Sequence, residues 1–287
     1  MTADGPHVIH ARLLGALRGL AVGDAFGAAT DHYRPNEIDE VYGAPVTELV
    51  EPISLYPECG PKRGRGQIGT VASEALRVAE VLASGATVHG PFQQLGWAVV
   101  VGAVARSSAP DDVLALAASL GGGPSAATIA AMSATAVQGF LVRDVLMVGA
   151  ETATRAGSAA LGRRLINAAG AAQAAGGRNV GAAVAATAPP GPDDDAVVAF
   201  AGGVAFGAQS VRRAIVEATS QGGRASLSAA LAGALCGALF PRSSVESWSN
   251  DVERASELNL ATLTDRLIAA SSHPAADART GSIESQT

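Results

Sequence analysis

Residues 65–82, RGQIGTVASEALRVAEVL, place two hydroxyls, Thr70 and Ser73, where a glycine-bearing loop opens into an amphipathic helix. Side-chain oxygens at such a place cap exposed backbone N–H groups, and Glu74 in the first turn suits the positive end of the helix dipole. Between the hydroxyls stand Val71 and Ala72, which cannot hold a metal, move a proton or attack an ester. Just upstream, Lys62, Arg63 and Arg65 form a basic loop suited to a phosphorylated ligand or to solvent. Asp24 follows a glycine near a helix end, where a short carboxylate satisfies backbone donors. The run Asp193 to Asp195 follows prolines at the start of a helix and reads as N-capping and dipole compensation, not metal binding. His32 is a possible acid–base partner, since an unperturbed imidazole changes charge near neutrality, but it adjoins Asp31, and adjacent side chains seldom converge. The other histidines have no ligand spacing, and there is no GxSxG elbow, P-loop or dinucleotide fingerprint.

These residues need elements to position them, and the elements read as helix after helix. A first helix is predicted over 11–25, where Leu13, Leu14, Leu17, Leu20 and Ala21 recur at helical spacing. Five prolines between 31 and 69 predict a long loop or cap. Helices are then predicted over 73–84, 92–107, 110–120, 125–140, 142–155, 159–175, 196–220 and 226–240, and over 244–270 in two pieces. Gly23 and Gly27 allow close backbone approach around Asp24, and Gly233 and Gly237, four apart on one helical face, allow a neighbouring helix to sit close. Residues 1–270 read as one helical domain and 271–287 as a polar, disordered tail.

Composition sets the limits. The chain has 287 residues, 48% of them hydrophobic but only 4% aromatic, a balance that favours closely packed small-residue helices over a β-sandwich and so an all-α fold. A net charge of −6 with acids and bases interspersed provides no broad basic field for nucleic acid or anionic membrane. Two cysteines, no basic n-region ahead of an unbroken apolar run, and apolar stretches interrupted by polar residues predict a soluble, cytoplasmic protein. The partner expected is a small molecule.

Two stretches, LRGLAVGDAFGAATD near the start and SQGGRASLSAALAGALCGALF near the end, together resemble the ADP-ribosylglycohydrolase family. That family opens with an arginine and a GDALGAPxE motif, followed here from Arg18 to Asp31, then shows GQ and TDDT, where this chain has Gly66, Gln67 and TVAS. It ends with GGDxDTxAAIAGAxxGA, which reads GGRASLSAALAGALCGA here, so the resemblance runs from about residue 12 to 240. The resemblance implies an orthogonal multi-helix bundle whose central cleft holds two divalent ions and cleaves a glycosidic bond of ADP-ribose.

Of the metal ligands that the resemblance implies, only Thr70 is retained. Val71, Ala72 and Ser73 stand for the rest of TDDT, and Arg224, Ser226 and Leu227 stand for the last aspartates and threonine. Hard divalent ions need several oxygens, usually with carboxylates, so no metal and no cofactor is expected. The candidate ligand-binding residues are Thr70, Ser73, Arg224 and Ser226, and Asp31, matching the family's acidic residue, is the candidate acid or base. Two readings follow: a noncatalytic member that binds a ligand or serves as a scaffold, or a metal-independent enzyme acting on a ribosyl or other small anionic substrate, with Asp31 as acid/base and Arg224 as charge stabiliser.

Overall fold

A computed structural model describes residues 6–43, 45–54, 63–242 and 245–271. Cys59, Lys62 and the tail expected to be disordered, apart from Ser271, lie outside the described residues. The described residues form fourteen α-helices and no strand, so the fold is all-α. In chain order they are α1 (Pro6–Gly27), α2 (Pro35–Tyr42), α3 (Thr70–Ala83), α4 (Gly96–Val104), α5 (Pro110–Ser119), α6 (Pro124–Val137), α7 (Val142–Arg155) and α8 (Ala159–Ala174). There follow α9 (Val180–Thr187), α10 (Asp194–Ala208), α11 (Val211–Thr219), α12 (Ala225–Leu239), α13 (Glu246–Ala255) and α14 (Leu260–Ser271). None of the described helices is long and apolar enough to cross a membrane.

Helices that are apolar all round must be buried, while a one-sided stripe places a helix at the surface. In α6 every residue from Ser125 to Val137 is buried, and in α12 every residue from Ala225 to Ala238. Helices α7, α11 and α13 carry charged residues on one side and bury only the other. Buried side chains from Leu13 to Leu267 form one continuous core.

The most extensive pairing joins α1 to α12. Gly15, Gly19, Gly23 and Gly27 recur every four residues along α1 and meet α12 in antiparallel order. An ideal Cβ on Gly15 would fall 2.2 Å from the Gly237 carbonyl oxygen, one on Gly19 2.0 Å from that of Gly233, and one on Gly23 2.2 Å from that of Ala229. The backbones touch there with no side chain between them. Arg12 closes one end of the pair, donating to the Ala238 carbonyl oxygen at 2.9 Å near the C-terminus of α12, where a cation complements the dipole.

The helix expected over 196–220 is two helices. Gln209 adopts a left-handed conformation (φ 56°), and the Ser210 hydroxyl then caps α11 by accepting from the Arg213 amide, so a serine capping signal ends one helix and starts the next. The helix expected from 92 begins at Gly96, and α9 and α2 were not anticipated. α9 starts after a left-handed Asn179, and α2 has proline at its first turn, which tolerates the missing N–H.

Gly19→Val should therefore destabilise the fold by about 3 kcal/mol or more, because overpacking against backbone cannot be relieved by a rotamer change. Gly170→Ala, on the open face of α8 where nothing lies within 4 Å of the added Cβ, should stabilise by about 0.5–1 kcal/mol. Urea unfolding of both variants checks this, and a neutral Gly19→Val would contradict the backbone contact.

Candidate functional site

The last turn of α1 and the turn that leaves it carry one aspartate each to the starts of two other helices. Asp24 is wholly buried. Its Oδ2 accepts from the Gly69 amide at 2.7 Å and the Ala72 amide at 2.9 Å, so a residue 45 positions upstream caps α3. Asp31 does the same for α12, its Oδ1 accepting from the Ser226 amide at 2.8 Å and its Oδ2 from the Ser226 hydroxyl. The loop is held by a reciprocal backbone pair, His32 N–H to Gly223 O at 2.7 Å and Gly223 N–H to Tyr33 O at 2.9 Å. Gly222, at φ 64°, would bring a Cβ to 1.9 Å from the Tyr33 carbonyl oxygen, so the glycine pair before Arg224 is required by this crossing.

Arg63 lies between the two carboxylates. Its Nη1 donates to Asp24 Oδ1 at 2.9 Å, and its Nη2 donates to Ser226 Oγ at 2.8 Å and to the Asp24 carbonyl oxygen at 3.2 Å. Asp31 Oδ2 is 3.8 Å from the same Nη2. Every carboxylate oxygen of Asp24 and Asp31 is thus engaged by a donor of the chain itself. Burial pushes the Asp24 carboxyl above its ordinary range, opposed by the adjacent Arg63 charge and the two amides.

Arg224, immediately before α12, turns to another partner. Its Nη1 meets Asp194 Oδ1 at 2.6 Å and the Pro192 carbonyl oxygen at 3.1 Å, and its Nη2 lies 3.4 Å from Gln94 Oε1. Gln94 is tied in turn to α3, its amide donating to Glu74 Oε2 at 2.8 Å. Thr70 and Ser73 are exposed in the first turns of α3. The structure therefore brings Asp31 and Ser226 into direct contact and links Arg224 to α3 through Gln94, while Asp31 and Arg224 engage different acceptors and donors.

The aspartate run behaves as helix-capping chemistry. Asp193 caps α10 through the Ala196 amide at 2.7 Å, and Asp195 accepts from the hydroxyls of Ser125 at 2.5 Å and Ser158 at 2.9 Å. Val71, Ala72 and Leu227 are buried and apolar, so these three of the positions the resemblance links to metal offer no side-chain oxygen to a hard divalent ion. Among the described residues no group of three or more His, Cys, Asp or Glu could hold a metal. A cavity of about 720 Å³ forms an open groove between α7 and α8, lined by residues such as Met147 and Ile166 and by none of the candidates.

Sequence reasoning placed Asp24 correctly as a ligand of backbone donors but missed Arg63 as its partner, reading that side chain as part of a basic loop suited to a phosphorylated ligand or to solvent. The glycine at 69 was the available signal: a Cβ there would lie 1.7 Å from Arg63 Nη1.

Asp24→Asn should cost about 3 kcal/mol, because the amide presents a donor to groups that are all donors and leaves Arg63 only the more distant Asp31 as counter-charge. Asp111→Asn, which breaks an exposed pair with Arg155, should change stability by less than about 0.5 kcal/mol. Urea midpoints at neutral pH distinguish the two.

Residues 6–114 match the family model described as ADP-ribosylglycohydrolase. No curated protein matches the sequence. Among solved structures the chain is similar to an ADP-ribosylglycohydrolase-related protein complex, at 19% identity over 92% of this chain and 99% of that chain, with a TM-score of 0.48. The matched residues hold Asp24, Asp31, Arg63 and the TVAS helix start, so the N-terminal part of the chain, with three of the five candidate residues, is similar to the ADP-ribosylglycohydrolase family.

Proposed function

We propose that this protein is a noncatalytic ADP-ribosylglycohydrolase-like protein that has lost the dimetal hydrolase site and keeps its helical scaffold to bind a small ligand. The observation that carries the reading is the closed network of Asp24, Arg63, Ser226 and Asp31, in which the carboxylates hold helix N-termini and a guanidinium and offer no free oxygen. The apolar side chains of Val71, Ala72 and Leu227 support the same conclusion. A metal-independent enzyme would need Asp31 as acid or base, yet that carboxylate accepts both the amide and the hydroxyl of Ser226, and Arg224 is already paired with Asp194.

The ligand class proposed is an anionic or ribosyl small molecule at the edge formed by Thr70, Ser73, Gln94 and Arg224. Arg224 supplies a permanent charge and a planar fork, and its side chain is 27% exposed. A cytosolic setting is part of this proposal and is supported by the low cysteine content.

Wild-type protein with magnesium or manganese should release no ADP-ribose from an ADP-ribosylated peptide above a protein-free blank. Turnover abolished by a chelator would overturn the reading. ADP-ribose should raise the thermal midpoint of the wild type, and Arg224→Met should weaken its binding about tenfold, roughly 1.4 kcal/mol, the loss of one partly exposed charge contact. Equal affinity in both proteins would remove Arg224 from the ligand site.

A further inference from the structure

We propose that Arg63 is the resident cation of a built-in cation site, and that the site becomes a divalent-metal site when its guanidinium is removed. Four oxygens from three residues converge on this one side chain: Asp24 Oδ1 at 2.9 Å, the Asp24 carbonyl at 3.2 Å, Ser226 Oγ at 2.8 Å and Asp31 Oδ2 at 3.8 Å. Carboxylate, carbonyl and hydroxyl oxygens are the donors that hard divalent ions take. Their present occupant is a planar, delocalised cation with fixed donors.

The charges argue the same way. Asp24 and Asp31 bring two negative charges and Arg63 one positive, with the Asp24 side chain 1% exposed and that of Asp31 19% exposed. Two carboxylates left near each other in such a place repel and are poorly solvated, so without the guanidinium they need a proton or a mobile cation, and a divalent ion can take several of the four oxygens at once. The space is also specific to the guanidinium. Gly69 has no side chain at the point where Arg63 Nη1 passes, and a Cβ there would fall 1.7 Å from that nitrogen. The cradle is therefore made of acids on two sides, the start of α12 on a third and a bare backbone on the fourth.

The test is thermal and urea unfolding of wild type, Arg63→Ala, Arg63→Lys and the double variant Arg63→Ala with Asp24→Asn, each with chelator or with about 10 mM magnesium, manganese or calcium chloride. For Arg63→Ala at least one of these ions should raise the folding equilibrium constant about tenfold or more, as expected for an ion present at about ten times its Kd. Wild type and Arg63→Lys, which carry their own cation, should change less than about twofold, and the double variant should lose the response. Should Arg63→Ala not fold in chelator, the ions are added during refolding from urea and the native fraction is read. No gain in stability or refolding yield for Arg63→Ala overturns the proposal, and so does an equal gain for wild type or Arg63→Lys. The result is separable from the noncatalytic reading: chelator-sensitive turnover by wild type would sink that reading while leaving the variants' cation response to be judged by itself.

Discussion

The contact of α1 with α12, backbone against backbone, sets the geometry of everything around it. With glycine at 15, 19, 23 and 27 on one helix and at 233 and 237 on the other, the two axes approach until carbonyl oxygens occupy the places where Cβ atoms would be. Such an approach gains dispersion contacts along the whole interface and fixes the axial register, because each missing Cβ faces a particular peptide unit. The register is what delivers Asp31 to the first turn of α12: the last glycine of the stripe, Gly27, sits against Ser226, and Asp31 is one turn of chain beyond it.

From that register follows an economy of charge at one end of the bundle. The unsatisfied N–H groups of a helix start carry partial positive charge, and a carboxylate placed there serves as both acceptor and counter-charge. Asp24 serves α3, Asp31 serves α12 and Asp193 serves α10, while Asp195 joins the starts of α6 and α8 through Ser125 and Ser158. Two arginines then join these ends to one another, Arg63 between the caps of α3 and α12, and Arg224 between α12 and the first turn of α10. An arrangement of acids that looks suited to chemistry is accounted for by helix ends and two guanidinium groups.

Much of this was legible in the sequence. Alanine and glycine in helical spacing, with few aromatics, determined an all-α fold, since small residues pack helices closely and leave little to build a sandwich core. The α7 bounds could be read without error because Val142 follows a turn and Arg155 stands two residues before Gly157, and Asp24 could be read as a backbone acceptor from its place beside glycine near a helix end. Gly233 and Gly237 announced a close neighbour. Their partner was not named by anything local, although the same four-residue spacing runs through Gly15, Gly19, Gly23 and Gly27.

What only the tertiary structure decided is where the long charged side chains end. Arg63 and Arg224 each lie in loops before a helix start, each with several rotatable bonds, and nothing in the neighbouring residues says which will fold inward. Arg224 stood beside a lost motif and drew attention, yet its charge is spent on Asp194. Arg63 stood among three basic residues that read as a loop for a phosphorylated ligand or for solvent, yet its guanidinium meets Asp24, 39 positions away, and Ser226, 163 away. Helical periodicity is local, so the sequence by itself determined the elements and their buried faces. The partners of a charge depend on distant segments brought together by the α1–α12 contact, and that only the folded chain could settle.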